Sequence, residues 1–270
     1  MTHYEQWDQR RGKIVSKKGG WKIGSGVESH GYDLINELVG NYSYMQVVVL
    51  NATGKMISKE FADWLEAIHI CLSWPDSRIW CNRIGALAGT AHCSPVVAAS
   101  IGTMAADSRA YGIRPLIEGV DFIKEAYKTI SECGMSVENY VDVEVRKRGG
   151  KPSLMGYARP IAKGDERIGA MEDVTSKLGF AIGPHLKLAY EIEKQLAFRF
   201  DETMNINGYG SAFMADQGMT PIETYRINSV MVASGVTACY VDHVDSEMGL
   251  FSPLRVSDIG YEGSTARSVK

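Results

Sequence analysis

Apolar positions along this chain recur mostly at helical spacing, and the strict alternation of half-buried strands is scarce. Leu34, Ile35, Leu38 and Val39 share one helical face, with Gly40 behind them as a stop. Asn41-Tyr42-Ser43 offers a cap for a helix through MQVVVLNATG. Ser58, with Glu60 in the first turn, starts a longer helix through KEFADWLEAIHICLSW, which Pro75 ends. His69 lies in the apolar part of that helix and reads as a core histidine. Residues 83–104 are dense in Ala, Gly, Ser and Val, which predicts two buried helices in close contact, broken near Ser94-Pro95. The helical pattern resumes over 116–130; a polar segment follows, and its charge and glycine cluster at 146–150 marks a loop. Leu186, Ala189, Ile192 and Leu196 define a further helix. The chain is then glycine-rich and helical from Met204, and ETYRINSVMVASGVTACYVDHV reads as one helix. Residues 1–30, polar and punctuated by glycine, predict an extended arm or short hairpin, and FSPLRVSDIGYEG an irregular tail. The fold class expected from this pattern is mainly α.

Composition narrows the function classes. The chain has 270 residues, 45% hydrophobic and 23% charged, with a formal net charge of −3, which gives no nucleic-acid footprint. No apolar run reaches the roughly 18 to 20 residues of a membrane span. The first twenty residues are charged and lack an apolar segment, so a cytoplasmic protein is expected. Cys71, Cys81, Cys93, Cys133 and Cys239 are odd in number, scattered and without a C-x-x-C pair, and are expected to be reduced core or near-core thiols. The six histidines show no metal-ligand spacing, so no protein-bound metal is expected. His92 and Cys93 are sequence neighbours, which does not by itself make a catalytic pair.

The chemistry concentrates in Gly156-Tyr157-Ala158-Arg159-Pro160-Ile161-Ala162-Lys163-Gly164-Asp165-Glu166-Arg167-Ile168. Glycine lets backbone N–H groups approach a ligand closely, and arginine presents a forked donor set matched to carboxylate or phosphate. The segment fits a shaped, anion-facing loop; a solvated basic turn fits the same composition.

Taken with two further segments, that loop resembles the citrate synthase superfamily, in the style of citryl-CoA lyases and the citrate-synthase-like end of ATP-citrate lyase. Gly31-Tyr32-Asp33-Leu34-Ile35 with Val39-Gly40-Asn41-Tyr42-Ser43-Tyr44 is similar to the family's opening segment. Gly156-Tyr157-Ala158-Arg159-Pro160 with Asp165-Glu166-Arg167 is similar to its histidine-bearing loop, and Asn205-Ile206-Asn207-Gly208 with Ala212-Phe213 to its aspartate-bearing turn. The resemblance implies a helical fold with a large domain, here 1–112 and 216–270, a smaller one, 113–215, and a tight homodimer whose interface includes or underlies 83–106. It implies a small-molecule substrate, an acyl-CoA or a polycarboxylate. Coenzyme A enters as a thioester substrate rather than as a covalently bound cofactor.

Carried over residue by residue, the family's catalytic positions have changed character. The aspartate that removes a proton from an acyl-CoA methyl reads Asn207, which has no basic oxygen. The loop histidine reads Arg159, and the other histidine falls at Arg109 or Ala110. The substrate-binding histidine lands around Pro75-Asp76, and the arginine expected before Gly235 reads Val232; Arg167 stands as the family's pattern has it. The resemblance thus assigns Arg159, Asn207 and Arg109 to the reacting centre. It assigns Arg167, Asp76 and Arg255 to the substrate, and Gly156, Tyr157, Ala158 and Lys163 to coenzyme A. Three readings stand at this point: an enzyme with a rearranged, arginine-rich site, a non-catalytic binding or regulatory relative, and a repurposed scaffold.

Overall fold

A computed structural model describes residues 2–12, 16–109, 111–159, 163–246 and 254–269. Thr2 opens a short helix, α1 (His3–Asp8), through a reciprocal cap with Glu5, an element not expected in the polar opening. Strands β1 (Gly19–Lys22), β2 (Gly26–Ser29) and β3 (Tyr32–Asp33) pair antiparallel in that order, so the expected hairpin gains a third strand. The helix expected over 34–39 is a π-helix, Leu34–Leu38, and of the four apolar residues at 34, 35, 38 and 39 only Leu38 is buried. Its bond from the Val39 N–H to the Leu34 carbonyl, 3.0 Å, is an i→i+5 contact, and that winding does not keep a 3.6-residue stripe on one side.

The next helices follow their caps. Ser43 and Gln46 form a capping box at α2 (Tyr44–Thr53), closed by Gly54 in the left-handed conformation. Ser58 caps α3 (Lys59–Leu72), which stops before Pro75. The small-residue stretch forms α4 (Trp80–Thr90) and α5 (Pro95–Ala106), separated at the expected break. α6 (Arg114–Cys133) is longer than the pattern indicated. The polar segment after it holds a helix that the sequence reading missed, α7 (Val137–Lys147); Ser136 caps it, and Tyr140, Val141 and Val145 turn inward. α8 (Glu166–Lys177), α9 (Pro184–Phe200) and α10 (Ile206–Asp216) complete this part. The stretch expected to be one helix is two, α11 (Pro221–Ile227) and α12 (Ala233–Val244). At the break the Asn228 side chain donates to the Thr224 carbonyl at 2.7 Å, a local bond that competes with helix continuation. A single 3₁₀ turn, Val256–Asp258, follows. Residues 160–162 of the loop, Ala110, and 251–253 of the tail lie outside the described residues.

Backbone proximity divides the chain into two compact units, Met1–Trp74 with Ala106–Val232, and Pro75–Ala105 with Ala233–Lys270. The segment 113–215 lies whole within the first. That unit is centred on Trp64 and Phe213, both fully buried and stacked with ring centroids 3.9 Å apart. The Trp64 indole donates to Thr175 Oγ1 at 2.8 Å, so its polar edge is satisfied where its ring is dry. In the second unit α4 lies against α12 through glycines: a Cβ on Gly85 would meet the Val236 carbonyl oxygen at 2.7 Å, and one on Gly89 the Tyr240 oxygen at 2.5 Å. α4 is buried along one face, Cys81, Asn82, Gly85, Ala86, Ala88 and Gly89, with Trp80 and Leu87 exposed, and α5 is buried less than expected: Val96, Val97, Ile101 and Met104 are exposed, because only the Ala98, Gly102, Ala106 edge of the helix finds a neighbour. Cys133, expected near the core, is exposed at the end of α6, and Cys81 and Cys239 are buried. His69 is partly buried and shares a 2.9 Å hydrogen bond with the Asn228 side-chain oxygen; burial, opposed by that bond, lowers its pKa.

Candidate functional site

Gly156 and Gly208 bring the glycine- and arginine-bearing loop against the start of α10. A Cβ on Gly208 would lie 2.3 Å from the Gly156 carbonyl oxygen, and one on Gly156, whose φ is +87°, would lie 2.6 Å from Gly208 Cα. Only glycine permits that approach at either position. Tyr157 pairs with Met204 as an isolated bridge, and the Ala158 N–H donates to the Thr203 carbonyl at 2.9 Å. Ala158 itself is left-handed at φ 68° and its carbonyl accepts from the Asn205 amide at 2.7 Å. Asn205 also caps α10, accepting from the Asn207 and Gly208 N–H groups.

Asp165 is the centre of this arrangement, with no solvent exposure of its side chain. It caps α8 through the Arg167 N–H, and its other oxygen accepts from the N–H of Ile206, the first residue of α10, at 2.9 Å. Its carboxylate therefore sits at the positive ends of two helices. The Arg167 guanidinium grips it with Nε and Nη2 each at 2.7 Å, and Arg159 Nη1 lies 3.9 Å away. Burial pushes the Asp165 carboxyl up, but the Arg167 hydrogen bonds and the Ile206 N–H outweigh it and hold the group below the usual carboxylate range. Arg167 also lies over the Trp74 ring, 5.2 Å from its centroid, and is mostly covered. Beside it burial raises the Cys71 thiol, which keeps it protonated.

Arg159 differs from Arg167 in what holds it. Its side chain is 13% exposed, but its partner Glu166, at 2.6 and 3.2 Å, is 73% exposed, so a covered cation is neutralised by a carboxylate in water. Asn207 is fully engaged: its amide nitrogen donates to the Pro115 carbonyl at 3.1 Å and lies 3.7 Å from the Met155 sulfur, and its oxygen accepts from Ser211 at 3.2 Å.

The remaining expected site residues are dispersed. Tyr157 is turned into the core, its hydroxyl donating to the Ala189 carbonyl at 2.9 Å. Lys163 is exposed and paired with Asp201. Arg109 is exposed in a turn closed by the Asp107–Gly112 bridge. Asp76 and Arg255 belong to the second unit, where Asp76 pairs with Arg78 at 2.8 Å and the Arg255 N–H donates to Asp258. The sequence reading missed Trp74 and the roles of Asp165, Glu166 and Asn205. Asp165 and Asn205 carried a signal, each being a helix-capping residue type placed at a helix start. Trp74 carried none.

No protein-family profile and no curated protein matches this sequence. Solved structures do. Citryl-CoA lyase from Hydrogenobacter thermophilus superposes with a TM-score of 0.78 at 21% identity, over 95% of this chain and 97% of its own. The fold is that of the citrate synthase superfamily. ATP citrate lyase from Methanothrix soehngenii, solved with citrate and coenzyme A, matches with a TM-score of 0.74 at 14% identity, over 98% of this chain but 45% of that one. Citrate synthase from Thermotoga maritima matches with a TM-score of 0.63 at 15% identity, over 84% of this chain and 59% of its own.

Proposed function

We propose that this protein binds an acyl-CoA thioester, a polycarboxylate or both, and makes or breaks a carbon–carbon bond between them at an arginine-rich site. Arg159 and Arg167 hold carboxylate groups and stabilise developing oxyanion charge, while Asn207, lacking a basic oxygen, takes no proton. The observation that carries this reading is the pair of largely covered guanidiniums at the joined starts of α8 and α10, in a fold used by citryl-CoA lyase, ATP citrate lyase and citrate synthase. Arg159 is the first group to meet a ligand, since its own partner is solvent-borne. Gly156, Ala158 and Lys163 face coenzyme A, Arg109 adds a further anion contact, and 113–215 serves as the smaller domain. A second copy of the chain covers the open apolar face of α5.

Thermal-shift and calorimetric titration against citrate, oxaloacetate, coenzyme A and acetyl-CoA tests the proposal, because a ligand of the native state raises stability as RT ln(1 + [L]/Kd). Stabilisation by a tricarboxylate or a thioester, lost in Arg159→Gln, is the expected result; no stabilisation by any of the four overturns it. A non-catalytic relative is favoured by one feature, the complete engagement of the Asn207 amide by Pro115, Met155 and Ser211. Ligand binding without thioester cleavage or formation in a thiol-release assay selects that reading.

A further inference from the structure

α6, α7 and the segment just before Gly156 line an open cavity of about 430 Å³; its Met155 wall also touches Asn207, and its chemistry is opposite in sign to that of the arginine cluster. Glu118, Asp121 and Glu125 line it from α6 at spacings of three and four residues, one face of the helix, and form a row roughly 10 Å long. None of the three has an ion-pair partner among the described residues; Glu125 accepts a 3.4 Å contact from Thr129. On the opposite wall Glu144 pairs with Lys147 at 2.7 Å and with Arg148, which also lines the cavity, at 2.6 Å; these two cations exceed it by one charge, so the negative charge of the cavity is that of the three α6 carboxylates. Lys124, on the same helix, does not line the cavity.

Tyr140 is the second observation. It lines the same cavity, is 5% exposed, and its hydroxyl has no hydrogen-bond partner among the described residues. Burial, then the nearby Glu144 and Glu125 charges, push its pKa well up, so the hydroxyl stays neutral and able to accept from a cation. Its ring and that of Phe122, centroids 6.2 Å apart, supply aromatic wall to the cavity. No group of three or more His, Cys, Asp or Glu among the described residues is arranged to hold a metal ion, and a row of carboxylates beside aromatic rings suits a chain of ammonium groups better than a point charge.

We propose that the α6–α7 cleft is a binding site for a linear aliphatic di- or polyamine, its ammonium groups along the Glu118–Asp121–Glu125 row and its methylene chain against Phe122 and Tyr140. Calorimetric titration of the full chain with spermidine at low ionic strength tests it, with magnesium chloride at matched charge as competitor and the variants Glu118→Gln/Glu125→Gln and Tyr140→Phe. The expected result is saturable binding of one spermidine per chain that magnesium does not displace. The double variant weakens it on the order of tenfold, and Tyr140→Phe weakens it roughly threefold to tenfold. All the substituted atoms lie on the cleft lining, and circular dichroism establishes that each variant is folded. Absence of saturable binding, equal displacement by magnesium, or unchanged affinity in the folded double variant overturns the site.

Discussion

Helix α10, INGYGSAFMAD, and helix α5, PVVAASIGTMAA, are both built of small and apolar residues, yet α10 is buried from Gly208 to Ala215 while α5 buries only Ala98, Gly102 and Ala106. α10 packs against α6, α8 and α9, and its Gly208 faces the Gly156 carbonyl oxygen at a distance that excludes a Cβ. On α5 the same closeness occurs along one edge, where a Cβ on Gly102 would meet Val236 Cγ1 at 2.4 Å, and the opposite side remains apolar and open. Small-residue composition therefore marks a helix that something approaches closely, without stating whether that neighbour is in the same chain.

The sharpest break in this comparison is Phe213→Ala on α10. Phe213 stacks on Trp64 and is met edge-on by Phe180, at 5.2 Å and 87°. The change is expected to cost about 3–5 kcal/mol, read from the urea midpoint at unchanged slope. Loss below about 1 kcal/mol would mean that α10 is not the centre of its unit.

Next in size is Asp165→Ala, which removes the carboxylate joining the starts of α8 and α10 and strands Arg167; a cost of about 2–4 kcal/mol is expected. The pH dependence has a fixed sign. Because the folded pKa of Asp165 is depressed, its contribution is fully present above the unfolded value near 3.9 and is lost as pH falls through the folded value. Melting temperature followed downward from pH 6 should fall more steeply for the native chain than for Asp165→Asn; parallel curves would remove Asp165 as the cause.

Gly208→Ala is smaller, about 1–3 kcal/mol, since the Gly156 carbonyl must shift to admit a methyl group. The matching change on α5, Met104→Ser, is expected to alter the chain's own stability by no more than about 0.5 kcal/mol, because the side chain is 74% exposed. Sedimentation velocity then distinguishes the proposed dimer from an open face: a shift toward monomer on Met104→Ser supports the second copy, and a native chain monomeric throughout removes it.

Helix boundaries were legible where a cap or breaker wrote them into the text: Ser43, Ser58 and the Ser94-Pro95 break each act within one turn of the residue that signals them. The same locality explains the errors. α7 is amphipathic on a charged background, the π-helix at 34–38 uses a winding that apolar spacing does not encode, and Asn228 ends α11 through a side-chain bond. The fold resemblance was equally readable, and solved structures of that fold superpose on the chain.

What the chain alone determined was therefore its helical character, its principal caps and the chemical identity of its cations, all properties of residues near one another in sequence. Tertiary structure decided what those cations do. Asp165 joins the ends of two helices forty residues apart in the chain, Arg167 is locked onto it beneath Trp74, and Arg159 is left facing a solvent-borne partner. Three arginine positions look alike in sequence because charge is a property of the side chain; whether a charge is bound, buried or available depends on the dielectric and the partners that folding brings to it.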